Sequence, residues 1–175
     1  QKDGEDPQYA LEGSVSIAGA AVQWLRDNLN IIENSEDIES LAMSVKDNGD
    51  VYFVPAFSGL FSPHWDETAR GVLVGLSRFS NKSHIARAVL ESVAYQSNEL
   101  LESMEKDIGT TFDTLNVDGG MVVNNLLMQF QSDIFNKKVT SQKINEITAL
   151  GAGAASYLFI NNLSLENMNL FISQS

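Results

Sequence analysis

A strand followed by a capped helix is the pattern that most constrains the fold of this chain, and it lies in residues 71–91, GVLVGLSRFSNKSHIARAVLE. Two glycines bracket an apolar segment, Val72–Val74, which is long enough for a buried strand. The polar residues 80–83 that follow carry side-chain oxygens suited to capping a helix. From Ile85 onward, apolar residues recur at helical spacing for about five turns. The pattern therefore predicts a buried strand that leads into a long helix.

The rest of the chain alternates helical and extended patterns, which predicts an α/β layer architecture with crossover connections. Helical periodicity is predicted over residues 17–32, 35–45, 122–135 and 148–160, with a weaker helical pattern over 163–175. Short strands are predicted at residues 51–54, 115–117 and 138–140, and a turn at residues 48–50. Ser35 is the expected amino-terminal cap of the second helix, with two acidic residues in its first turn. Residues 1–8 are expected to be a disordered polar leader or a cut edge.

Charge and residue usage exclude several classes of function. The chain has 11 basic and 23 acidic residues, a net charge of -12, and such a surface repels nucleic-acid backbones and anionic lipids. It contains no cysteine, and its two histidines, His64 and His84, are too few for a histidine-rich metal site. No segment is long and apolar enough to span a bilayer, and no secretory signal is recognisable. We therefore expect a cytoplasmic protein that binds no nucleic acid and has no membrane span.

Two glycine-bearing helix starts are the candidate binding segments. Asp118-Gly119-Gly120 lies between a predicted strand and a predicted helix, where glycine lets the backbone approach a ligand and a helix start offers N–H groups to an anion. Asn124 lies one turn further on. Gly19 begins the first predicted helix, with Gln23 one turn along it. Each pattern is also typical of a purely structural feature: a tight turn at positive φ in the first case, close helix packing in the second. Neither is a Walker loop or a dinucleotide-binding fingerprint.

Longer stretches of the sequence resemble the FGGY carbohydrate kinases. The spacing of glycine, apolar and polar residues in residues 71–91 resembles the second signature of that family. Further resemblance covers residues 9–15, 18–27, 53–60, 65–71, 117–120, 128–134 and 148–152. Within the family, the chain is most similar to the members that phosphorylate glycerol, since residues 58–63 read Ser-Gly-Leu-Phe-Ser-Pro where pentulose and gluconate kinases usually carry Ser-Gly-Glu-Arg-x-Pro.

The resemblance implies an actin/hexokinase-like (ribonuclease H-like) ATPase of two lobes, in which residues 9–175 are most of the carboxy-terminal, nucleotide-binding lobe, an α/β lobe with a mixed sheet flanked by helices. Four positions match nucleotide-binding positions of the family: Gly19, Gln23, Gly120 and Asn124. The implied reaction is ATP-dependent phosphorylation of glycerol to glycerol 3-phosphate, with ATP/ADP and Mg²⁺ as cofactors, in a homo-oligomeric parent protein. The catalytic residues, the glycerol contacts and the metal ligands are expected outside this chain, so the chain alone is expected to be inactive.

Four other polar side chains are expected to have structural roles. His64 replaces a tyrosine of the commoner bacterial form of its loop and is expected to pack within that loop, and His84 is expected to shape a helix start. Asp66 and Glu91 are expected to make structural hydrogen bonds rather than to act as an acid/base pair. Two other functions remain open: a nucleotide-sensing or interaction protein without catalysis, and an FGGY kinase for another polyol or sugar.

Overall fold

The computed structural model describes Asp6, residues 9–141 and residues 147–163. These residues contain short strands and helices of very different length. The elements are α1 (Gly19–Asp27), α2 (Asp37–Met43), β1 (Tyr52–Val54), β2 (Val72–Val74), α3 (Lys82–Ile108), β3 (Thr114–Val117), a 3-10 helix (Gly120–Val123), α4 (Asn125–Phe135), β4 (Lys138–Ser141) and α5 (Ile147–Ile160). The predicted alternation of helices and strands is confirmed.

The chain divides into two compact units. Residues 13–141 form one unit, and residues 1–12 and 142–175 belong to the other. In the second unit, α5 confirms the helix predicted over 148–160. The weaker pattern predicted after residue 163 and the predicted leader, apart from Asp6, lie outside the described residues.

The long helix α3 is the centre of the larger unit, and it confirms the capped helix predicted from the sequence. Asn81 is its amino-terminal cap, and Gly109, in the left-handed conformation, ends it. Apolar side chains of α3 pack with buried residues of α1, α2 and β1 in one core. Trp24 of α1 stacks on Phe53 of β1, with ring centroids 5.6 Å apart. The apolar periodicity of the sequence is therefore the periodicity of core contacts.

The strands form two small sheets. β1 and β2 pair antiparallel, with Phe53 opposite Leu73, whereas β3 and β4 pair parallel. The predicted mixed sheet would contain both parallel and antiparallel strands. Both kinds of pairing are present among the described residues, but in two separate two-stranded sheets. The predicted burial of β2 is wrong, because Val72 and Val74 are 47% and 49% exposed. Only the middle residue of β2 packs against the core, since just one face of the β1–β2 pair is covered.

The first helix is shorter than its apolar pattern. α1 ends at Asp27, although Ile32 is buried in the core. The amides of Leu29 and Ile31 donate back to the carbonyls of α1, and Asn30 between them has φ of 51°. A left-handed residue at this place terminates a helix, so the chain turns away while its apolar residues stay in the core.

The amino-terminal end of α2 is not capped by the predicted residue, Ser35. No side chain caps α2, and the Ser35 hydroxyl instead accepts a hydrogen bond from Arg26 Nη1 at 3.0 Å. Asp37 Oδ2 accepts from the Asn34 backbone N–H at 2.8 Å, which closes the turn before the helix. The predicted cap is therefore wrong, because a nearby guanidinium engages the serine oxygen.

Candidate functional site

The two predicted binding segments lie side by side in the larger unit. Gly19 is the first residue of α1, and a β-carbon built on it would lie 3.9 Å from Sδ of Met121. Met121 is the second residue of the 3-10 helix that begins at Gly120. Gln23 is exposed one turn along α1. The fold thus brings together two glycine-bearing helix starts that are about 100 residues apart in the sequence.

Neither candidate glycine is required by the backbone. Gly120 is not among the glycines at positive φ, and no heavy atom of the described residues beyond its chain neighbours and own helix lies within 4 Å of a β-carbon built on it. A β-carbon on Gly19 would make only an ordinary van der Waals contact. By contrast, Gly119 has φ of 97°, where a side chain is strained. The predicted tight turn therefore requires Gly119, whereas the space beside Gly120 is open to a ligand.

The amino-terminal ends of both helices lack side-chain caps. Ala18 precedes α1 and Gly119 precedes the 3-10 helix. Among the described residues, no side chain accepts a capping hydrogen bond from the first amides of either helix. The first backbone hydrogen bond of each helix start runs from residue 21 to residue 18, and from residue 122 to residue 119. The amides that precede these bonds are available to a ligand from the geometry of a helix start.

The start of α4 is built differently from its prediction. The predicted continuous helix over 122–135 is instead a 3-10 helix followed by α4, because Asn124 between them has an extended backbone. Asn124 is 5% exposed, and its Oδ1 accepts from Leu127 N at 2.8 Å. Glu39 Oε1, from α2, accepts from Leu126 N at 2.8 Å. The amides of Leu126 and Leu127 are therefore not available to an anion, and the Asn124 side chain keeps its Nδ2 amide as a donor for a ligand.

The polar residues predicted to be structural make structural contacts. His84 Nδ1 accepts from the Asn81 backbone N–H at 3.2 Å and completes the capping box of α3. Glu91 is buried and pairs with Arg87 Nε at 2.7 Å and with Asn48 Nδ2 at 2.9 Å. These contacts confirm the helix-start role of His84 and the structural role of Glu91.

In the loop before β2, Asp66 makes the predicted structural hydrogen bonds, whereas His64 is exposed and pairs with a residue of α3 rather than packing within the loop as predicted. Asp66 accepts from the hydroxyl and the backbone N–H of Thr68, and these hydrogen bonds hold the pKa of the Asp66 carboxyl below its usual value. His64 Nε2 lies 3.2 Å from Glu99 Oε2 on α3. A small cleft under this loop is lined partly by Gln96 and includes none of the four predicted nucleotide-binding residues.

Residues 9–141 and 147–163 contain no group of three or more histidine, aspartate or glutamate side chains arranged to hold a metal ion. None of the helices placed there has the length and apolar character needed to cross a bilayer.

Two residues near the candidate site were not predicted from the sequence. Met121, in the 3-10 helix, lies beside the start of α1, and Glu39 accepts a hydrogen bond from the first turn of α4. Glu39 is one of several acidic residues in and beside α2, and local sequence offers no signal that separates it from Glu36 or Asp37. Its role depends on a contact with a residue 87 positions away.

The chain is similar to known glycerol kinases in sequence. It is 63% identical to a glycerol kinase of Brucella anthropi over 158 residues, which are 90% of this chain and 32% of that protein. It is 58% identical to a glycerol kinase of Chloroflexus aurantiacus over 160 residues, which are 91% of this chain and 32% of that protein. The chain thus spans about a third of the length of the curated relatives it matches.

Solved structures show the same similarity. The structure of Plasmodium falciparum glycerol kinase with ADP matches 97% of this chain and 34% of its own, with a TM-score of 0.82 and 38% identity. A ligand-bound xylulose kinase from Lactobacillus acidophilus matches 73% of this chain and 26% of its own, with a TM-score of 0.65 and 26% identity. These matches confirm the predicted actin/hexokinase-like fold class. Because residues 2–157 also match the sequence model described as the C-terminal domain of the FGGY family of carbohydrate kinases, this chain belongs to that family.

Proposed function

We propose that this chain is the nucleotide-binding part of a glycerol kinase, which transfers the γ-phosphoryl group of ATP to glycerol and forms glycerol 3-phosphate. The observation that carries the proposal is the similarity to glycerol kinases over nine-tenths of the chain. The open space beside Gly120 and the neighbouring uncapped helix starts support a ligand at the matching positions. Residues 9–175 would then be one lobe of a larger cytoplasmic, homo-oligomeric enzyme.

In this proposal, the adenosine part of ATP or ADP lies between the start of α1 and the 3-10 helix. Gly19 and Gly120 leave room for the nucleoside, because no side chain projects there from either residue. Gln23 and the free amide of Asn124 supply polar contacts to it. A carboxylate already accepts a hydrogen bond at the start of α4, so this end of the site disfavours the phosphates and favours the uncharged nucleoside.

The rest of the reaction would use residues outside this chain. Phosphoryl transfer depends on holding the attacking hydroxyl in line with the γ-phosphoryl group and on neutralising its charge. We place the aspartate that deprotonates glycerol, the glycerol contacts and the Mg²⁺ ligands in the other lobe. This lobe would hold the nucleotide and close over it, and closure excludes water that would otherwise hydrolyse ATP.

Substrate-dependent ADP release by the full-length protein tests the proposed reaction. With Mg-ATP present, we expect ADP release to depend on glycerol and to be much slower with xylulose or gluconate. Faster release with xylulose than with glycerol would identify a kinase for another substrate. Binding of Mg-ADP without release of ADP in the presence of any of these alcohols would identify a nucleotide-sensing protein.

A size series at Gly120 tests the proposed nucleotide site in the full-length protein. Gly120→Ala and Gly120→Val add side chains into space that the described residues leave open, so the free energy of unfolding should change little. Calorimetric titration should show that Gly120→Ala binds Mg-ADP more weakly than wild type. Gly120→Val should lose at least about tenfold in affinity, since a clash with a bound ligand costs more than about 1.4 kcal/mol. Equal affinity across the series would contradict the assignment of this site.

A further inference from the structure

We propose that Glu39 is a positioning residue for the nucleotide site, acting through the first turn of α4 on the amide of Asn124. This inference rests on the proposed function and adds to it a residue in α2, outside the segments that line the site. Glu39 has no assigned contact with the nucleotide. Its effect would come from where it holds α4.

The first turn of α4 is held by two side-chain acceptors on neighbouring amides. Asn124 Oδ1 accepts from Leu127 N, and Glu39 Oε1 accepts from Leu126 N, each at 2.8 Å. The first bond is local, whereas the second joins residues 87 positions apart. The first turn of α4, to which the Asn124 side chain is bonded, is therefore held by α2 as well as by Asn124 itself. A carboxylate suits this position because it interacts favourably with the positive end of the helix dipole.

The helix that carries Glu39 is itself firmly placed. Ile38 and Ala42, on either side of Glu39, are buried in the core of the larger unit. At the end of α2, Ser44 Oγ donates to Ser83 Oγ of α3 at 2.8 Å. Glu39 thus connects the start of α4 to the core rather than to a mobile surface element.

Loss of the Glu39 carboxylate would release one of the two bonds. The Leu126 amide would lose its acceptor, and the first turn of α4 would depend on the Asn124 cap alone. An unsatisfied amide is unfavourable, so this turn would tilt or admit water. Either change would displace Asn124, which precedes this turn and is 5% exposed, and with it the Nδ2 amide. A neutral acceptor of the same length would preserve the hydrogen bond from Leu126 N, so Glu39→Gln should keep the function of Glu39.

Nucleotide affinity and the separate Michaelis constants of the full-length protein test this inference. Glu39→Ala should weaken Mg-ADP binding and raise the KM for ATP by about fivefold to twentyfold, the effect of losing one charged hydrogen bond. The KM for glycerol should stay within about twofold of wild type, which general destabilisation would not predict. Glu39→Gln should restore affinity to within about twofold. Glu36→Ala, at an exposed residue one turn away, is the matched control and should bind like wild type.

A double-mutant cycle with Asn124→Ala tests whether Glu39 acts through Asn124. If it does, Glu39→Ala should add little to the affinity lost in Asn124→Ala, because coupled residues are not additive. Full additivity, or unchanged Mg-ADP affinity in Glu39→Ala, would overturn the inference while leaving the nucleotide site intact. Should Glu39→Ala fail to fold, Glu39→Asp keeps the charge but shortens the reach, and wild-type affinity in that variant would overturn the inference equally. Absence of Mg-ADP binding by the wild-type protein would overturn the proposed function itself.

Discussion

The amino-terminal ends of α3 and of the 3-10 helix are built in opposite ways. At α3, Asn81 accepts hydrogen bonds from the Ser83 and His84 amides, and the His84 ring accepts from Asn81 in return. The Phe79 ring covers this capping box, with its centroid 5.0 Å from that of His84. At the 3-10 helix, the preceding residue is Gly119 and no side chain provides a cap. The first helix start is capped by side chains of the chain itself, whereas no side chain of the described residues caps the second.

The glycines near these two helix starts also differ in whether the fold requires them. Beside α3, a β-carbon on Gly49 would lie 2.6 Å from Cδ2 of His84, and one on Gly75 would lie 1.8 Å from the Asp50 carbonyl oxygen. These glycines are required by close packing and positive φ. Gly120 has neither requirement within the described residues. Gly49 and Gly75 are therefore structural glycines, whereas we propose that Gly120 is a binding glycine because the space beside it is open.

The largest expected effect comes from alanine substitutions at one glycine of each kind. Gly75→Ala should lower the free energy of unfolding by about 3 kcal/mol or more, because the β-carbon would clash with backbone and φ is +80°. Gly120→Ala should change it by no more than about 0.5 kcal/mol. Urea denaturation of the full-length variants measures both. Similar losses at the two positions would break the distinction between structural and binding glycines.

The two asparagine caps provide the next test, with an expected loss of stability about a third of that for Gly75→Ala. Asn81 and Asn124 each cap a helix through the side-chain oxygen, so Asn81→Ala and Asn124→Ala should each lower the free energy of unfolding by about 1 kcal/mol. Only Asn124→Ala should weaken Mg-ADP binding, because we propose that Asn124 contacts the nucleotide, whereas Asn81 caps α3. Chemical denaturation and calorimetric titration separate the two effects. Weaker Mg-ADP binding in Asn81→Ala would show that the two caps do not divide in this way.

The smallest expected effect concerns pH and the far end of α3. The Phe112 backbone N–H and Lys137 both donate to Glu105, and these hydrogen bonds hold the pKa of its carboxyl below the ordinary 4.5. A depressed folded pKa stabilises the fold above pH 4.5, and this contribution is lost as the pH falls through the folded pKa. Glu105→Gln should therefore flatten the dependence of stability on pH below about pH 4.5, as measured by urea denaturation at several pH values.

Lys106→Met provides the matched control for the Glu105 prediction. Lys106 adjoins Glu105 on α3 and is exposed, but Lys137 is the lysine that pairs with the Glu105 carboxylate. This substitution should leave the pH profile unchanged. A profile in Glu105→Gln that matches wild type would show that other carboxylates dominate the acid sensitivity of the fold.

Much of the fold could be predicted because the signals are local. The capped start of α3, the turn at residues 48–50 and strands β1, β3 and β4 follow from residue types within a few positions of each other. The resemblance also singled out Gly19 and Gly120, and the segments that carry them lie side by side, since a β-carbon on Gly19 would contact Met121. Local patterns failed where a distant group competes. Arg26 donates to the hydroxyl oxygen of Ser35, and Glu39 accepts from the Leu126 amide, which no local pattern predicted.

The sequence by itself determined the order of elements, the family and the residues that can cap, turn or line a site, because these depend on side-chain chemistry and short spacing. Only the tertiary structure decided which of them have a partner already. The Oδ1 atom of Asn124 caps α4, and Glu39 of α2 accepts from the first turn of the same helix. Strand β2 is exposed on one face. Such outcomes depend on which surfaces meet, and contacts between residues 87 positions apart leave no periodicity for a local pattern to record.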